Sequence, residues 1–173
     1  MVGEPARQQR ALAVIAERLR GMPEVRGAIL IGSIAGSVAD AASDVDLIIC
    51  PVPDQFAAAW ERRHDAHGPQ TLVCWDDRRD GKAEAGVHRW VTEDMVLIEA
   101  LFATPASGGR LAPPWQMLVG SEDVARSLTP RPPISRSEFS ADGAHPIDQA
   151  FEDLKWALRD LAGENAGARE RPA

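Results

Sequence analysis

An apolar run that stops at a glycine and a serine, followed by a second run that opens on two alternating aspartates, constrains this chain most: AILIGSIAGSVADAASDVDLII. Ten residues lie between Ser33 and Asp44, room for a short helix and a turn that return the chain beside the strand it left. Side chains alternate along a strand, so Asp44 and Asp46 share one side while Val45 and Leu47 face apolar packing on the other. Their backbones stand roughly 7 Å apart at ~3.3 Å per residue, a span that two divalent cations ~3.5 to 4 Å apart can bridge. A bare DxD triplet more often begins a solvated acidic strand. The preceding Gly32 and Ser33 change its meaning. Glycine lets backbone approach a ligand, and the amides of a following helical turn with a serine hydroxyl can bind phosphate oxygens. The plainer alternative makes Ser33 a helix N-cap.

A third carboxylate lies in MVLIEALF, where Glu99 is a single ionisable group with apolar residues on both sides. A buried carboxylate is costly unless it meets a cation. A neighbouring strand that sets Glu99 beside Asp44 and Asp46 supplies a metal; a salt bridge to Arg89 across the hairpin is the alternative.

The rest of the chain reads as alternating helices and strands. Leu12, Ile15, Ala16 and Leu19 predict a helix over 5–21, and residues 54–66 a second, with Phe56, Ala57, Trp60 and His64 on one face. Strands are expected at Val25–Ile31, Val45–Cys50, Thr71–Trp75, Val87–Thr92, Met95–Thr104 and Trp115–Val119, with a tight turn at Glu93 and Asp94 and a surface turn in DDRRDGKAEAG. Glu122–Leu128 reads as a short helix. Thr129–Pro133 reads as a stiff extended connector, because prolines fix the backbone and remove donors. The expected organisation is a domain over 1–128, a Pro-rich connector over 129–145, an amphipathic helix over 146–164 and a tail over 165–173.

At 173 residues and 45% hydrophobic content, the chain suits one domain with its own core. A formal charge of -7 disfavours a broad grip on nucleic acid, which needs clustered lysine and arginine. No stretch approaches the ~20 apolar residues of a membrane span, and the N-terminus lacks a basic-then-apolar leader. Two cysteines on separate apolar runs fit a reducing compartment, so a cytoplasmic location is expected. Cys50 and Cys74 read as small core residues. His64 and His67 are three apart, a spacing that can bind metal, but without a second ligand pair they read as a solvated helix end. Asp76, Asp77, Glu93 and Asp94 form either a solvated surface or an acidic rim for a polycationic acceptor.

GSIAGSVADAASDVDL followed by a strand carboxylate resembles the DNA polymerase beta-like nucleotidyltransferase superfamily, in the bacterial branch of aminoglycoside adenylyltransferases and minimal nucleotidyltransferases. The resemblance covers roughly Val25 to Thr104. It implies an α/β (α+β) fold with a mixed sheet of about five strands flanked by helices. It implies further that Gly32 and Ser33 hold nucleotide phosphates, that Asp44 and Asp46 bind two Mg2+ ions, and that Glu99 is the third acid. The implied reaction moves a nucleoside monophosphate, AMP from ATP, onto a hydroxyl of a small acceptor such as an aminoglycoside. The alternative is an antitoxin that binds or nucleotidylates a helical toxin, with the C-terminal helix docking on that partner or on a second copy. Gly36 and Ser37 depart from the family, where many relatives carry a basic or polar residue and then glycine.

Overall fold

The computed structural model describes residues 6–40, 43–77, 85–107 and 109–132. The expected C-terminal helix and tail, and the connector beyond Pro132, lie outside them, as does most of the surface turn after Asp77. Residues through Pro133 cluster as one unit.

Helix α1 (Ala6–Arg20) leads into strand β1 (Val25–Ile31), the short helix α2 (Gly32–Ala35) and strand β2 (Val45–Pro51). Helix α3 (Phe56–Glu61) and a 3-10 turn (Arg63–Ala66) follow, then β3 (Thr71–Asp77), β4 (Ala85–Thr92) and β5 (Leu97–Ala103). Two short strands, β6 (Arg110–Leu111) and β8 (Thr129–Pro130), flank β7 (Trp115–Val119) and helix α4 (Glu122–Arg126) in sequence. The architecture is mixed α and β. Six strands, at the six places the sequence reading put them and one more than the resemblance implies, form a sheet in the order β3-β4-β5-β2-β1-β7. Every neighbouring pair is antiparallel except β2 and β5, which run parallel. The chain therefore goes out along β1, turns through α2 and comes back along β2, as the ten-residue spacing requires.

Each face of the sheet carries its own apolar cluster. On one face Leu30, Val45, Leu47, Ile49, Trp90, Ile98 and Phe102 pack with the stripe of α1, Leu12, Ile15 and Leu19, and with Phe56 and Trp60 of α3. Each large side chain so buried contributes about 1.5–3 kcal/mol. On the other face Ile29, Ile48 and Cys50 pack with Leu111 and with Val124 and Leu128 of the α4 region. Trp60 meets Phe102 edge-on at 5.5 Å between ring centroids, and its indole lies where a side chain at Gly86 would stand. Gly86→Ala is therefore expected to lower stability by about 1–3 kcal/mol through overpacking, measured by urea unfolding.

Two expectations need correction. The helix expected over 54–66 stops at Glu61 and tightens into the 3-10 turn, where the Asp65 and His67 amides donate to Arg62 and His64 carbonyls three residues back. Arg62 there bonds both Asp65 and Glu24. Thr129 and Pro130 are not a free connector, because the Thr129 and Arg131 amides donate to the Gly109 and Leu111 carbonyls, pairing β8 with β6.

Candidate active site

Strand register assembles the acids. Asp46 on β2 stands opposite Glu99 on β5 and opposite Ile31 on β1, the last residue before Gly32. Glu99 in turn stands opposite Arg89 on β4. Asp46 belongs to the same side of β2 as Ile48 and Cys50, so this row lies on the face opposite α1 and α3. Asp44 precedes β2 by one residue and is half-buried, as is Asp46, while Val45 and Leu47 between and after them are buried. That alternation puts both aspartates on one side.

Gly32 has φ +74, a left-handed conformation that side-chain-bearing residues rarely adopt. A Cβ built there would collide with Oδ2 of Asp46, so the carboxylate lies directly against the Gly32 backbone. Two separate constraints thus require glycine at the turn. Ser33, half-buried, sits one residue into α2. It is not the N-cap: Ile31 holds that position, without a side-chain bond to the helix. Gln116 of β7 donates to the Ala35 carbonyl at 3.0 Å and fixes the far end of α2.

Glu99 has a charged partner as well as acidic neighbours. Arg89 donates from Nε to Glu99 Oε2 at 2.7 Å, with the guanidinium almost buried and the carboxylate 44% exposed. The expected buried carboxylate is therefore partly open to solvent, and both of its foreseen relationships, to Arg89 and to Asp46, occur together.

The approach to Asp44 is anchored by residues that sequence alone did not single out. Ser43 donates to Asp40 Oδ1 at 2.8 Å and accepts from the Asp40 amide at 2.9 Å. Gln8, buried within α1, donates to the Ser43 carbonyl at 2.9 Å and to that of Asp40 at 3.3 Å. A polar side chain on the apolar stripe of α1 was the available signal: it is tolerated because it ties the helix to the turn before the paired acids.

A second polar cluster occupies the other face. Cys74 and Asp76 on β3 stand opposite Trp90 and His88 on β4, which share the side that packs with α3 and the 3-10 turn. His64 lies in that turn and His67 immediately follows it. His88 Nδ1 lies 2.6 Å from Asp76 Oδ1, and Arg63 bonds both Asp76 oxygens at 2.9 and 2.7 Å. Burial pushes His67 and His88 down to about 4, with neighbouring His64 and Arg63 acting in the same direction, so both rings are neutral at pH 7. Burial works to raise Asp76, but its bonds from Arg63 and His88 outweigh that and hold it below the usual carboxylate range. Cys50 matches its reading as a core residue, and burial pushes its thiol up to about 12. Cys74 does not: it is exposed, on the edge strand of the sheet.

Among the described residues no helix is long and apolar enough to cross a membrane. No protein-family model matches the chain, and comparison with curated proteins gave no match.

Proposed function

We propose that this chain is a magnesium-dependent nucleotidyltransferase that moves a nucleoside monophosphate from a triphosphate, ATP by resemblance, onto a hydroxyl of a small acceptor. The observation that carries this reading is the register of Asp46 with Glu99, beside a left-handed glycine whose missing side chain is where the Asp46 carboxylate rests. The one parallel pair, β2 with β5, in an otherwise antiparallel sheet also agrees with the mixed sheet that the resemblance implies.

The donor set suits magnesium, since Asp44, Asp46 and Glu99 offer only hard carboxylate oxygens. When bound, the ions neutralise phosphate charge and lower the pKa of the acceptor hydroxyl. The chain's own residues do the rest. Asp44 and Asp46 are held at fixed spacing by β2 and by the turn that Gln8 anchors. Arg89 occupies one Glu99 oxygen and so orients the carboxylate, leaving the other to a ligand. Gly32 admits the triphosphate close to backbone, and the Ser33 hydroxyl donates to a phosphate oxygen. The acceptor oxygen forms its bond to the α-phosphorus as the bond from that phosphorus to the bridging oxygen breaks and pyrophosphate leaves.

A screen of triphosphates and acceptors for magnesium-dependent pyrophosphate release tests the reading; no release with any pair across the four common nucleotides and a panel of hydroxyl acceptors counts against it. Glu99→Gln is expected to slow turnover about 10²-fold while triphosphate affinity changes less than about threefold, because the charge acts mainly in the transition state. Equal losses in both would assign Glu99 a structural role.

A further inference from the structure

We propose that His64, His67 and Cys74 form a binding site for a zinc-type divalent cation, distinct from the carboxylate site and on the opposite face of the sheet, with His88, Asp76 and Arg63 positioning His67.

The candidate ligand atoms of His64, His67 and Cys74 all lie within 4.8 Å of one another, with Cys74 Sγ 3.9 Å from His64 Nδ1. Ligands of one tetrahedral zinc stand about 3.3–3.6 Å apart, given Zn–N of ~2.0 Å and Zn–S of ~2.3 Å. Small side-chain adjustments therefore bring the three atoms to coordination distance. Imidazole nitrogen with thiolate sulfur selects zinc over magnesium, the reverse of the preference expected of three carboxylates.

The surroundings have the organisation that metal-binding histidines need. A ligating imidazole is fixed by giving its other ring N–H to an acceptor. His67 Nε2 faces His88 Nε2 at 2.5 Å, and the two rings are parallel within 3°. His88 in turn gives its Nδ1 proton to Asp76, which Arg63 grips with two bonds. With that proton on Nδ1, His88 Nε2 is an acceptor and His67 Nε2 is the donor. The remaining nitrogen of His67, Nδ1, is then unprotonated and available as a ligand. Trp90 stacks on His67 at 4.8 Å and limits its ring from the side.

Three protein ligands leave a fourth position for water, and the exposed Cys74 gives a cation a route in. Bound there, the ion ties the 3-10 turn to edge strand β3.

The untagged full chain, stripped with chelator and titrated with Co2+ alone, tests it. The expected result is a thiolate-to-cobalt charge-transfer band in the near ultraviolet that saturates with one Co2+ at the thiolate and is lost when Zn2+ displaces it. Cys74→Ser should abolish the band while circular dichroism stays unchanged, since the residue is exposed. Asp46→Asn should leave it intact. Asp76→Asn should keep the band but weaken affinity about 10–100-fold; unchanged affinity would overturn the positioning role. Absence of the band in the unaltered chain, or its persistence in Cys74→Ser, would overturn the site.

Discussion

Asp46→Asn is expected to lower nucleotidyl transfer by at least about 10²–10³-fold, with unfolding by urea shifted little. Asparagine keeps the size of the side chain while turning one accepting oxygen into a donating NH2, so the β2 backbone, flanked by buried Val45 and Leu47, stays in place. What is lost is one negative charge at the centre of the row from Arg89 through Glu99 to the end of β1. That position borders both the third acid and the glycine turn. The comparison of magnesium-dependent pyrophosphate release in the two proteins at saturating triphosphate measures it.

Gly32→Ala is the second substitution with a large expected effect. A side chain at φ +74 costs about 1–2 kcal/mol, and here it also drives into the Asp46 carboxylate. The carboxylate must swing aside, and misplacement of a catalytic group by ~1 Å costs about 10²-fold in rate. The expected outcome is a modest loss of stability with a far larger loss of turnover. A variant that loses stability and keeps its rate would show that the contact between Gly32 and Asp46 has no part in catalysis.

The sequence made the carboxylate face legible because its signals are local. Gly32 marks a turn, Asp44 and Asp46 alternate with buried residues, and the length between them limits β1 and β2 to neighbouring positions. Glu99 was readable as an isolated charge in an apolar strand, although its pairing with Asp46 depends on a parallel contact between strands some fifty residues apart, which composition does not encode. The alternative of Ser33 as an N-cap fails because the helix begins at Gly32, with Ile31 in the capping position.

The histidine cluster was missed for the complementary reason. His64 and His67 had the spacing of a ligand pair but no partner pair in sequence. Cys74 looked like core because its neighbours Leu72 and Val73 are apolar, yet β3 is an edge strand and both of those side chains are exposed. His88 sits within a strand and reaches the others only through the register of β3 with β4. Adjacent positions on β4 serve opposite faces: His88 faces the histidine cluster while Arg89 holds Glu99.

The most direct measurement of the central claim, that Asp44, Asp46 and Glu99 jointly hold divalent ions beside a nucleotide, is Mn2+ binding followed by electron paramagnetic resonance with a non-hydrolysable triphosphate present, in Cys74→Ser protein so that the histidine cluster does not contribute. The account predicts Mn2+ binding that the triphosphate strengthens and that the added Asp46→Asn substitution weakens at least about tenfold. Equal Mn2+ binding with and without Asp46→Asn, or none with triphosphate present, would contradict it.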